Sequence, residues 1–400
     1  MILRPRSAGY LALLVALGSF GPLTFGLYSP VMPAVGHDLA TTPDQVKITL
    51  TTYMLGFAVG QLFYGPLSDR YGRRPVLLGG LVFFTLTTLG CAFATSISDL
   101  IGLRVLQGLG AASGSVLGRA LTRDAYSFKE MPLVMSWISL GQNIAPSLAP
   151  TIGGFLGDWI GWRSTFWFIG AFGATLFIVV LLGLGETNKY RSERVDLGQL
   201  LKGSGAMLRN RQFLGHVLPL GCAFAINFGV MAGIPFILQE GMGFSAREFG
   251  LLSLLAVFGF ALGTFVNNRL VGRVSPVTII RHSGWFHVAA LAVMASLALA
   301  EIVTWWAVVI PHVLLSFGTG MIVANAQAGA VGMYPRLAGT ASSLTGLLQM
   351  GMGAMGTVAV AIVTVIGSRY VAMPMVIALA PFAVATLLCA RLLRVAPQPR

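Results

Sequence analysis

Apolar stretches long enough to matter to a membrane, separated by short polar segments, run through nearly the whole of this 400-residue chain. A helix needs roughly 20 apolar residues to cross about 30 Å of hydrocarbon. On that measure the pattern predicts helices over 8–33, 45–66, 76–97, 100–122, 132–157, 163–185, 212–238, 247–268, 277–300, 302–326, 339–366 and 371–391. The longest polar stretch, Glu186 to Arg211, reads as a linker (186–211) between an N-terminal six-helix half (1–185) and a C-terminal one (212–394), with a tail at 395–400. The expected fold class is an all-α polytopic membrane protein of twelve helices in two pseudo-symmetric halves. Arg4 and Arg6 precede the first apolar stretch as they would in a signal peptide. That stretch runs on through Tyr28, Pro30 and Pro33 without a small-residue cleavage site, and is read as a retained first span.

The charges sort onto this frame. Of the 26 Lys and Arg, only Lys47, Arg163, Arg247 and Arg369 fall on one side, and Arg104 and Arg119 fall within a helix. The other twenty share the side that holds both termini. Lys/Arg-rich loops stay in the cytoplasm, so an even number of spans with both termini cytoplasmic is expected. Composition agrees, with 10% charged and 56% apolar residues against about 25% charged in soluble domains. The net charge of +13 follows from this topology and from attraction to anionic headgroups of the lipid bilayer, and calls for no nucleic-acid partner. Cys91, Cys222 and Cys389 sit on different helices without C-x-x-C spacing, so no disulfide, metal site or cofactor is implied. No H-E-x-x-H, no serine nucleophile elbow and no paired carboxylates beyond the loops occur, which sets an enzyme aside.

Candidate chemistry is concentrated in a few places. The run Gly65-Pro66-Leu67-Ser68-Asp69-Arg70-Tyr71-Gly72-Arg73-Arg74 reads as a charged, glycine-bearing turn between two apolar helices. A faint copy, Asn268-Arg269-Leu270-Val271-Gly272-Arg273, follows the eighth span and suggests duplication. Gly65 and Gly72 allow close helix approach and turn geometry that a Cβ obstructs. Asp69 can accept from helix N-terminal amides and pair with an arginine. Arg104 is a costly residue inside a span. Its expected neighbours are carbonyls of the first span and Gln107, and either anchoring of the first span on the fourth or a cavity-facing role accounts for it. In the fifth span Ala145, Ala149, Gly153 and Gly154 form a smooth stripe, while Pro146 and Pro150 bend the helix and free carbonyls.

Taken in order, these elements resemble the major facilitator superfamily of transporters. They are closest to twelve-span drug:proton antiporters of the bicyclomycin-resistance (Bcr/CflA) branch, which includes chloramphenicol and florfenicol exporters. Gly65–Arg74 matches the pattern G-x-L-x-D-R-x-G-R-R. Arg104-Val105-Leu106-Gln107-Gly108-Leu109-Gly110-Ala111 matches R-x-x-Q-G-x-G-A, and Arg119-Ala120-Leu121-Thr122-Arg123-Asp124 continues it as in this branch. Ala145 to Gly154 resembles the antiporter motif, with Ala149 where the family has glycine; Gly161-Trp162-Arg163 with Phe166, and Gly339-Thr340-Ala341-Ser342-Ser343, also fit. The resemblance implies that the Gly65–Arg74 segment, with Arg123 and Asp124, is a gate whose Asp69 contact breaks and remakes during alternating access. The bland reading is a positive-inside loop that fixes topology. It implies likewise that the fifth-span stripe seals against a helix of the other half.

One element departs from the family. Antiporters of this branch carry a first-span acid before a Tyr-x-Pro element, and here Gly26 takes its place ahead of Tyr28, Pro30 and Pro33. Each of the thirteen carboxylates falls in a loop or at a helix end. Neutral or weakly anionic substrates are therefore favoured over lipophilic cations. The proton-site candidates are Asp69, Asp124 and His312, although a membrane histidine also serves as a helix–helix hydrogen-bonder. The expected cavity wall is Tyr28, Tyr53, Arg104, Gln142 and Asn143 in the N-terminal half, and Asn227, Phe228, Asn325, Gln327 and Gln349 in the C-terminal half. The implied function is efflux of small drugs across the bacterial inner membrane by alternating access and proton antiport, by a monomer, with small-molecule drugs and protons as partners. An uncoupled facilitator and a metabolite or dipeptide exporter of the same fold are the alternatives.

Overall fold

The structure is a computed structural model, described over residues 4–126, 130–188, 204–334, 337–366 and 372–393. It is helical throughout. Polar residues start several of the helices by capping their free amides. Ser7 opens α1 (Ala8–Tyr28), which passes through a 3-10 turn, Ser29–Val31, into α2 (Met32–Asp38). Next come α3 (Pro43–Tyr71), α4 (Arg73–Phe93), α5 (Ile97–Ala125) capped by Ser96, α6 (Met131–Ile160) and α7 (Arg163–Gly183). Asn210 caps α8 (Arg211–Met242), Ser245 and Glu248 form a capping box on α9 (Ala246–Leu270), and Ser275 caps α10 (Pro276–Leu299). The chain closes with α11 (Trp305–Gly332), α12 (Ala338–Ile366) and α13 (Met373–Ala390). Among the described residues, 11 helices, counting α1 and α2 together, are long and apolar enough to cross a membrane. The expected helix at 132–157 is also present, as α6. Leu86, Phe93, Phe258 and Ile362 stand exposed on these helices, as side chains meant for lipid do.

The chain divides into two compact units. One is Met1–Thr41 with Thr52–Leu197; the other is Thr42–Thr51 with Gly198–Arg400. Most of the expected linker, 189–203, lies outside the described residues, as do the tail and Lys129. Within the second unit Lys47 is buried, with its ammonium 5.0 Å from the Phe236 ring centre. The core of this unit gathers Ile226, Val230, Leu291, Met294, Leu315 and Leu379 from α8, α10, α11 and α13.

The same crossing is built once in each unit. In the first, a Cβ on Gly56 of α3 would strike the Val105 carbonyl of α5, and one on Gly60 would press on Leu109. In the second, Gly259 of α9 meets the Val313 carbonyl of α11, and Gly263 that of Phe317. The third helix joins in the same register, with Gly110 against Phe84 of α4 and Gly318 against Phe286 of α10. Small residues let backbones approach this closely where lipid offers no hydrophobic drive for association.

The segment expected to be a loop at 65–74 is helical. α3 continues through Pro66 to Tyr71, and α4 begins at Arg73. The whole reversal rests on Gly72, at φ 101°, a backbone that L side chains rarely adopt. Gly272, at φ 87°, sits just after α9 in the equivalent place, which supports the faint copy seen in the sequence. Gly65 has open space where a Cβ would be, so close helix approach is not its role.

Candidate functional site

Arg104 is held by its immediate surroundings in the first unit. It is fully buried on α5, where a lone guanidinium would cost several kcal/mol. Its Nη1 donates to Gln107 Oε1 at 2.6 Å, and Gln107 Nε2 donates to Thr88 Oγ1 at 2.9 Å, tying α5 to α4. The guanidinium lies 4.6 Å from the Tyr28 ring centre, 4.3 Å from that of Tyr53 and 5.9 Å from that of Phe166. Tyr53 is fixed in turn by its hydroxyl, which donates to the Gly21 carbonyl at 2.9 Å. Gly108 leaves room for the Tyr53 backbone. Rings on α1, α3 and α7 thus face one cation, each desolvated contact contributing up to about 2 kcal/mol. Of the expected neighbours Gln107 is in place, and the anchoring reading accommodates the ring contacts to α1, α3 and α7. Phe166 and Thr88 were not anticipated as partners, since nothing local marks a ring 62 positions away.

A second cluster surrounds the Gly72 reversal. Arg73 Nη1 donates to Asp69 Oδ1 at 2.5 Å and to Ser68 Oγ at 2.6 Å, and its Nε donates to Asp124 Oδ2 at 3.2 Å. Asp124 also accepts from Thr187 Oγ1 at 2.8 Å. The free amides at the start of α4 are taken by Glu186, which accepts from Arg73 N at 2.9 Å and Arg74 N at 3.2 Å. Asn188 Nδ2 donates to the Ser68 and Asp69 carbonyls. Asp69 therefore finds the expected arginine but does not cap a helix; Glu186, read from sequence as the start of a linker, does that. Arg70 stacks on Tyr71, and Arg123 is exposed and outside the cluster.

The antiporter-like stripe on α6 finds a close partner within the first unit. A Cβ on Gly153 would strike the Leu27 carbonyl, so within its own unit the stripe packs on α1. Pro150 and Gly154 are buried. The side chains of Asn143 and Pro146 lie outside the described residues. Gln142 lies against Gly18 in the α1–α6 seam. At the opposite end from Arg73, Asp38 clasps Gly161-Trp162-Arg163. Arg163 Nη1 donates to Asp38 Oδ2 at 2.6 Å and Trp162 Nε1 does so at 3.0 Å, while the Arg163 guanidinium lies 4.1 Å from the Trp162 ring.

In the second unit the expected wall residues spend their polar atoms on neighbouring helices. Asn325 Nδ2 donates to Asn267 Oδ1 at 2.5 Å, Gln327 and Gln349 meet at 3.4 Å, and Phe228 packs edge-on to Phe224. Asn227 Nδ2 donates to Thr319 Oγ1 at 2.6 Å, and His287 Nε2 lies 3.0 Å from the same oxygen. Thr319 gives its own proton to the Leu315 carbonyl, so it accepts from both. A cavity of about 220 Å³ opens near the ends of α8 and α10, lined by Met242, Met294, Leu297, Glu301, Val308 and Ala372, none of them in the expected wall. Every described carboxylate stands at a helix end or between helices, and no metal-binding cluster occurs among the described residues.

Comparison with known proteins places this architecture. Residues 14–357 match the family model for the Major Facilitator Superfamily. The chain is 31% identical to Multidrug resistance protein D of Escherichia coli over 348 residues, covering 86% of each. It is 29% identical to the Chloramphenicol resistance protein of Pseudomonas aeruginosa, covering 85% of this chain and 81% of that one. Its fold matches that of a bacterial homologue of the human lysosomal transporter Spinster with a TM-score of 0.72 at 17% identity, covering 98% of this chain and 100% of the other.

Proposed function

Because this chain belongs to the Major Facilitator Superfamily, we propose that this multi-pass membrane transporter exports small drugs from the bacterial cytoplasm by alternating access, driven by proton antiport. The observation that carries the reading is the similarity to drug-resistance transporters over more than four-fifths of the chain, joined to the ordered set of antiporter-like motifs. Twelve spans in two halves (1–185 and 212–394) with both termini cytoplasmic, an inner-membrane location and a monomeric state belong to the same proposal. The Asp69–Arg73–Asp124 cluster is its cytoplasmic gate. Glu186, Thr187 and Asn188 hold the gate to the start of the linker. Spans without a carboxylate away from their ends favour neutral or weakly anionic cargo, of the phenicol or bicyclomycin kind, over lipophilic cations. Asp69, Asp124 and His312 are the groups placed to carry the proton. Gly26, standing where the branch has an acid, keeps uncoupled facilitation as the second reading.

The test is a susceptibility panel on cells expressing the chain, spanning neutral, anionic and cationic compounds. Resistance to neutral or anionic drugs is expected. Asp69→Asn should abolish most of it while membrane abundance stays normal. Resistance confined to lipophilic cations would refute the cargo argument, and full resistance in Asp69→Asn would remove the gate role.

A further inference from the structure

The second unit holds a titratable side chain in the seat that Arg104 occupies in the first. Arg104 lies seven residues into α5, just before Val105, whose carbonyl Gly56 meets. His312 lies seven residues into α11, just before Val313, whose carbonyl Gly259 meets. The surroundings differ. Arg104 is fully buried and engaged by Gln107 and the three rings. His312 is only partly buried, and no hydrogen bond, ion pair or ring contact joins it to a described residue.

The position of His312 along α11 gives this freedom a direction. His312, Ser316 and Thr319 follow one another at i, i+4 and i+7, so they share one helix face. That face carries the Asn227–Thr319–His287 cluster, and Ser316 Oγ reaches Asn227 Oδ1 at 3.5 Å. Ile310, on the opposite face, is the exposed residue. His312 therefore heads a polar stripe, one to two turns from the Asn227 amide.

Few other charges reach this level. On the helices packed against α11, the ionisable groups of α8 (Arg211, His216, Glu240), of α9 (Arg247, Glu248, Arg269) and of α10 (Arg281, His282) stand towards helix ends. His287 of α10 lies two turns away, beside Thr319, and α12 carries no charged residue. A guanidinium cannot give up its proton in a protein, whereas an imidazole exchanges one in the physiological range.

We infer that His312 is the proton-carrying residue of the transport cycle. Its ring nitrogen takes a proton from water on the outer side, forming an N–H bond and an imidazolium, and releases the same proton to water on the inner side. Nothing is oxidised or reduced. Cargo and proton then compete through the stripe that ends at Asn227. The inference rests on the proton-coupled reading above.

Labelling of the purified full-length protein with diethyl pyrocarbonate, which attacks neutral imidazole, tests it without any cargo. Peptide mass spectrometry is expected to find His312 modified, at a rate that falls as acid protonates the ring, with exposed His282 as the reference. A His312 that never reacts, or reacts at one rate throughout, overturns the inference. In proteoliposomes His312→Gln should lose the chloramphenicol accumulation that a pH gradient drives, at an unchanged melting temperature. Accumulation equal to that of the unaltered protein also overturns it. If the unaltered protein moves no chloramphenicol, the exporter reading suffers, while the labelling result still decides His312.

Discussion

Two equivalent seats, one per unit, solve the problem of a basic side chain within a membrane span in opposite ways. At Arg104 the charge is permanent, so the first unit surrounds it with Gln107 and the rings of Tyr28, Tyr53 and Phe166. At His312 the charge can be shed, and the second unit supplies no such enclosure. The contrast teaches that one helix crossing, built once in each unit, can support a fixed charge in one and a variable group in the other. A permanent charge needs such an enclosure, and a group that must take and release a proton needs to be reached.

The largest effect expected from breaking this contrast is at the anchor. Arg104→Lys keeps the charge but loses the planar fork to Gln107 and much of the ring stacking. It should cost about 3 kcal/mol of stability, read as a lower melting temperature in detergent together with lost transport. An unchanged melting temperature would return Arg104 to the cavity-facing reading. A smaller and deliberately symmetric effect is expected at the crossings. Gly56→Ala and Gly259→Ala each push a methyl group into a carbonyl of the facing helix, at about 2 kcal/mol apiece. Strong destabilisation in one variant only would show that the two crossings are not equivalent, and the assignment of His312 to the Arg104 seat would lose its frame.

Much of the fold was legible because apolar length is a coarse signal that survives without any tertiary knowledge. Arg104 stood out for the same reason, as a charge where lipid excludes charge, and Gln107 three residues on was within helical reach. The helical character of 65–74 was hidden because its glycines, proline and four charges all argue for a turn. In fact one residue, Gly72, suffices for the reversal, and Pro66 is accommodated within α3. The Glu186 cap and the Phe166 ring were hidden by distance in sequence. So was the kinship of Arg104 and His312, since the two residues share no identity and only the glycine contacts align them. The stripe on α6 was legible as a packing surface, while its contact with the Leu27 carbonyl of α1 was not, because spacing shows that a face is smooth and not what lies on it.

The central claim, that this transporter couples drug movement to protons, is tested most directly by chloramphenicol flux in proteoliposomes under an imposed pH gradient. Antiport predicts that an acidic lumen draws the drug in, as protons leave, and that reversing the gradient expels it. Flux that ignores the gradient in both directions would contradict the account and leave facilitated export in its place.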